Sequence, residues 1–97
     1  MKPPLQLYYV ENINKVLAEE SNILFAFLFG SYAKGTQDEK SDIDIAVYLK
    51  DESLLERVPL YPSRLAIKIE TSSLLQYYDF KPHLEMYDAA RRVRLGI

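Results

Sequence analysis

The sequence predicts an α/β fold, a small mixed β-sheet with helices packed on one face. Three observations predict it. Near its start the chain carries Leu7, Val10, Ile13, Asn14 and Leu17 at helical spacing, with Val16 widening the stripe. A short apolar run, Ile23 to Phe29, is rich in β-formers and bounded by turn signals. A second such run, Asp42 to Leu49, begins by alternating carboxylate and isoleucine.

Each element has its own reason. The first helix is predicted over Pro4 to Glu20, because Pro3 and Pro4 suit a helix entrance and Asn22 breaks the pattern. Ile23–Phe29 reads as a strand buried on both faces, since a continuous apolar run too short for a helix has that signature. It ends at Gly30-Ser31. A turn of helix through Tyr32-Ala33-Lys34 stops at Gly35, and the polar stretch from Thr36 to Ser41 reads as a loop. In the second strand Asp42 and Asp44 face one side together. Ile45-Ala46-Val47 continues into apolar sequence, as expected of a central strand. Pro59 and Pro62 prevent a long regular element after Asp51, though Ser53 can cap a short helix through Arg57. Ser63 to Leu75 fits two patterns. Leu65, Ala66, Ile69 and Ser73 share a helix face, yet Leu65 to Glu70 also alternates like a strand. Gln76 to Pro82 is strand-like, with Tyr77, Tyr78 and Phe80 around Asp79. Glu85 to Leu95 is predicted as a final helix, with Glu85 and Asp88 early, Arg91, Arg92 and Arg94 late, and Gly96 as its stop.

Composition excludes several classes. The chain has 97 residues, 48% hydrophobic and 27% charged, which is ordinary globular usage and predicts one domain over residues 1–97. The longest apolar run is seven residues, whereas a membrane span needs about twenty. Met1-Lys2-Pro3-Pro4 does not resemble a secretory signal, so a cytoplasmic location is expected. There is no cysteine for a disulfide, thiolate metal site or nucleophile. One histidine, His83, argues against a histidine-based metal site and reads as a surface or packing residue. Twelve basic and fourteen acidic residues give a net charge of −2, which argues against broad nucleic-acid binding through net charge. Eight tyrosines fit either core packing or a partner surface.

Two local patterns carry chemistry. Gly30-Ser31 follows a strand, and glycine lets backbone approach a ligand closely while the hydroxyl and following N–H groups can meet an anion. Alone, the same dipeptide is an ordinary strand-to-helix turn. Asp42-Ile43-Asp44 puts two like charges close together, which is costly without a cation between them. Mg²⁺ favours carboxylate oxygens combined with substrate phosphates. Alone, the pair also fits a solvated strand face.

Together, Phe29-Gly30-Ser31-Tyr32-Ala33-Lys34-Gly35 and Ser41-Asp42-Ile43-Asp44-Ile45, with ten residues between Ser31 and Asp42, resemble the DNA polymerase β-type nucleotidyltransferases. Within them the chain resembles the minimal nucleotidyltransferases, often paired with HEPN-domain proteins. The resemblance implies the nucleotidyltransferase fold and transfer of a nucleoside monophosphate, with ATP as donor and Mg²⁺ or Mn²⁺ as cofactor. It implies Gly30, Ser31, Lys34 and Ser41 as nucleotide-binding residues, although Lys34 reads equally as an exposed loop lysine. It implies Asp42 and Asp44 as metal ligands. The family's third carboxylate sits on a neighbouring strand, and Asp79 is preferred over Glu70 for it. The implied acceptor is a tyrosine of a HEPN toxin, the chain acting as antitoxin. The rival is a non-catalytic antitoxin that only masks its partner. Neither membrane nor nucleic acid is the expected partner, and a homo-oligomer is left open.

Overall fold

The computed structural model describes residues 7–38, 41–72 and 81–96. The chain runs α1 (Leu7–Ala18), β1 (Ile23–Phe29), α2 (Gly30–Lys34), β2 (Ile43–Leu49), α3 (Leu54–Arg57), α4 (Tyr61–Ser72), β3 (Pro82–Asp88) and β4 (Val93–Arg94). The strands form one mixed sheet in the order β1-β2-β3-β4, with β1 antiparallel to β2, β2 parallel to β3, and β3 antiparallel to β4. The fold is thus the expected mixed sheet with helices.

Alternation along the strands sorts the two faces. Ile43, Ile45, Val47 and Leu49 of β2 and Leu84 and Met86 of β3 point into the core. There they meet Ile13 and Val16 of α1, Leu54 of α3, and Tyr61, Leu65 and Ile69 of α4. The other face carries Asp44 and Tyr48 of β2, His83, Glu85 and Tyr87 of β3, and Phe25 and Phe27 of β1. Phe25 and Phe27 are 40% and 48% exposed, so that face lies open where the core face does not.

Three expectations change. β1 is not buried on both faces: it is an edge strand, and the open side of the sheet leaves its aromatic side chains exposed. Glu85 to Leu95 is not a helix. Leu84 and Met86 alternate with Glu85 and Tyr87, and parallel pairing with β2 supplies their backbone hydrogen bonds. The arginines come next, in a turn whose Arg92 has φ 56° and in β4. Asp88 holds that turn, accepting from Ala90 N–H at 3.0 Å and Arg91 Nε at 2.6 Å. The ambiguous stretch from Ser63 falls within helix α4 as far as Ser72, and the rest of it lies outside the described residues; Pro62 enters α4 at a position where a missing N–H costs little. The strand-like Gln76–Pro82 lies outside the described residues as far as Phe80. Ser53 does stand at the head of α3, but its hydroxyl donates to Asp51 Oδ1 at 2.8 Å rather than capping the helix.

A polar cluster ties the end of α1 to α4. Glu20 accepts from Tyr61 Oη at 2.8 Å and from Lys68 Nζ at 2.9 Å. Burial pushes the Glu20 carboxyl up, but the Lys68 and Tyr61 hydrogen bonds and the Lys68 charge outweigh it, and the group lies below its ordinary value. A depressed acid stabilises the fold above its unfolded pKa, and that contribution is lost as pH falls through the folded value. Glu20→Gln should therefore flatten the acid limb of stability, measured as the unfolding midpoint between about pH 7 and pH 3. Tyr61→Phe should cost about 1 kcal/mol.

Candidate active site

β1 delivers Phe29 beside Asp44 in register, and the chain turns at once into α2. That turn needs a residue at positive φ, and Gly30 has φ +75°. A Cβ on Gly30 would overlap Asp44 Oδ2. The backbone of the Gly-Ser turn therefore lies directly against the Asp44 carboxylate. The two local patterns, ten residues apart in sequence, form one place.

Asp44 is half-buried there. Burial raises its carboxyl pKa, the His83 imidazole opposes that, and the negative charges of Asp42 and Glu85 raise it further. Asp42 is exposed and lies just before β2. Lys34 is exposed at the end of α2, which closes at Gly35. Ser31 is half-buried on the first turn of α2, and its carbonyl accepts from Thr36 N–H at 2.9 Å. Ser41 shapes the loop before β2: its Oγ accepts from Asp38 N–H at 2.9 Å and donates to Asp38 Oδ1 at 3.3 Å.

The structure adds a candidate for the third acid. Asp79 lies outside the described residues. Glu70 lies on α4, which packs on the core face, whereas Asp44 projects from the opposite face. Among the described residues, the acid that β3 brings to Asp44's face is Glu85. It stands on β3 opposite Ala46, two residues along from the pair Asp44 and His83. Glu85 Oε2 accepts from Tyr87 Oη at 2.9 Å, while Oε1 lies 3.6 Å from His83 Nε2 and 3.7 Å from Arg94 Nη2. The Tyr87 hydrogen bond, helped by Arg94 and His83 and only partly offset by burial, holds its pKa below the ordinary range. Sequence reasoning missed Glu85 by placing it at a helix start. The signal available was period-two alternation in Pro82-His83-Leu84-Glu85-Met86-Tyr87. His83, read as a surface residue, is indeed exposed, yet it stands across from Asp44.

The donor chemistry suits a hard divalent cation: Asp42, Asp44 and Glu85 offer oxygen, and burial, with the charges of Asp42 and Glu85 adding to it, raises Asp44. Among the described residues, however, no three acidic or histidine side chains stand close enough as they are to hold an ion between them. The open face beside the acids is aromatic. Phe25 stacks on Tyr48 with centroids 4.4 Å apart, and Tyr48 stacks on Tyr87 at 4.8 Å. An apolar groove lies elsewhere, between α1 and β1, lined by Val10, Ile13, Leu17 and Leu28. It holds no cluster of acids and does not mark this site. No described helix is long and apolar enough to cross a membrane.

A family model described as Polymerase beta, Nucleotidyltransferase matches residues 11–91, a range that contains Gly30, Ser31, Asp42, Asp44 and Glu85. No curated protein and no solved structure gives a significant match.

Proposed function

The chain belongs to the polymerase beta nucleotidyltransferase family, and from that premise we propose that it moves a nucleoside monophosphate, AMP, from a nucleoside triphosphate to a hydroxyl acceptor. The acceptor in this reading is a tyrosine of a HEPN-domain partner, with the chain as antitoxin. The observation that carries it is the contact between Gly30 and Asp44. It brings the Gly-Ser turn against a carboxylate, and that supports the reading, because transfer from a triphosphate needs a phosphate surface beside a cation ligand.

Gly30 and Ser31 would receive the β- and γ-phosphates, with Lys34 offering a point charge. Ser41 would set the loop that presents Asp42. Asp42, Asp44 and Glu85 would hold Mg²⁺ or Mn²⁺. When bound, the ion neutralises phosphate charge and lowers the pKa of the attacking hydroxyl. Glu85 would also take the acceptor's proton. The open aromatic face leaves room for an acceptor brought by another protein.

The test uses ATP labelled at the α-phosphate, Mg²⁺ and the genomic-neighbour protein. Label on the neighbour, lost in the Asp42→Asn, Asp44→Asn double variant, is the expected result. A tight complex without label sinks transfer and leaves the masking antitoxin. The observation favouring that second reading is that Glu85 is drawn to Tyr87 and Arg94 rather than toward Asp44.

A further inference from the structure

We propose that Tyr87 is itself a nucleotidylation site, modified by the chain that carries it; the inference rests on the transferase reading. An acceptor hydroxyl in such a reaction must hydrogen-bond the group that takes its proton. In this fold a hydroxyl already does so: Tyr87 Oη donates to Glu85 Oε2 at 2.9 Å. The ring cannot swing freely, because it stacks on Tyr48 at 4.8 Å and 11°, and Tyr48 in turn stacks on Phe25 at 4.4 Å and 17°. Tyr87 projects from the open face of the sheet and is only half-buried, so no described helix separates it from solvent or nucleotide. The other tyrosine bonded to a carboxylate among the described residues, Tyr61, meets Glu20 on the helical side, away from Asp44.

Tyr87 Oη attacks the α-phosphorus of a nucleoside triphosphate and forms an O–P bond. The bond from that phosphorus to the α,β-bridging oxygen breaks, and pyrophosphate leaves with the electron pair. The phenolic proton passes to the Glu85 carboxylate. The product is a tyrosyl nucleoside monophosphate diester on β3, occupying the position of an outside acceptor. Self-modification would therefore block transfer to a partner.

The full chain is incubated with α-labelled ATP and Mg²⁺, with the HEPN-domain neighbour present in a parallel tube. A second arm treats the chain with fluorosulfonylbenzoyl adenosine in EDTA, a probe that captures a nearby tyrosine without metal. Peptide mapping reads both arms. Expected is a single added nucleoside monophosphate on Tyr87, and capture of Tyr87 by the probe. Both signals should fall to background in Tyr87→Phe, which keeps the ring and its stacking, and persist in Tyr48→Phe. Thermal unfolding confirms that both variants fold. Label on another residue overturns the inference, as does capture by the probe without transfer from ATP. An unlabelled chain beside a labelled neighbour overturns the inference alone. If chain and neighbour both stay unlabelled, the transferase reading falls with it.

Discussion

Glu85→Gln is expected to slow nucleotidyl transfer by about 10²- to 10⁴-fold, the usual range for loss of a positioned proton acceptor. The change is nearly isosteric and sits on the open face, where substitutions cost little stability. The amide oxygen of the new side chain can still accept from Tyr87, but the group can no longer take a proton or pair with a cation. A folded protein with a collapsed kcat is the result to look for. Glu70→Gln on α4 should leave the rate within about twofold, since that acid lies on the helical side of the sheet. Asp79→Asn decides between the acid that local sequence favours and the one the sheet favours. A large loss in Asp79→Asn with none in Glu85→Gln would make Asp79 the third acid.

Gly30→Ala should damage stability and activity together, and Gly35→Ala should not. Both glycines have positive φ, +75° and +73°, so each alanine costs roughly 1–2 kcal/mol of backbone strain. At Gly35 nothing lies within 4 Å of an added Cβ, and the cost ends there. At Gly30 the methyl would overlap Asp44 Oδ2, which must turn away or push β1 from β2. Equilibrium unfolding in urea should show Gly30→Ala as the less stable by at least about 1 kcal/mol. Transfer should vanish in that variant and survive in Gly35→Ala. Equal stability of the two would mean that Asp44 yields freely and is not held where the site needs it.

How much of the fold and site can be read from sequence depends on how local each signal is. Gly30-Ser31 and Asp42-x-Asp44 were legible because each needs only its neighbours: a positive-φ turn after a strand, and two acids on alternate positions. β2 was legible as central because apolar residues continue on both sides of Ala46. The position of β1 was not, because whether Phe25 and Phe27 are covered depends on which strands and helices arrive later in the chain. Glu85 was hidden by a real competing pattern. Acids at 85 and 88 followed by arginines at 91, 92 and 94 mimic a helix aligned with its dipole. In the fold two of those arginines find carboxylates instead, Arg91 pairing with Asp88 and Glu52, and Arg94 approaching Glu85. Parallel pairing of β3 with Ile43–Leu49 decided the outcome, and that partner is distant in the sequence. Ser63–Ser72 went the other way. Its helical face, Leu65 and Ile69, is buried against α1 and the sheet, and that packing selected helix over strand.

The joint role of Gly30, Asp42 and Asp44 is tested most directly by calorimetric titration of a nucleoside triphosphate into the protein, with Mg²⁺ and with EDTA, beside the Asp42→Asn, Asp44→Asn double variant. Binding that needs Mg²⁺ and is lost by at least about tenfold in the double variant is the expected result. Binding of equal strength with EDTA, or undiminished in the double variant, would show that these carboxylates hold no cation for the phosphates and would contradict the transferase assignment.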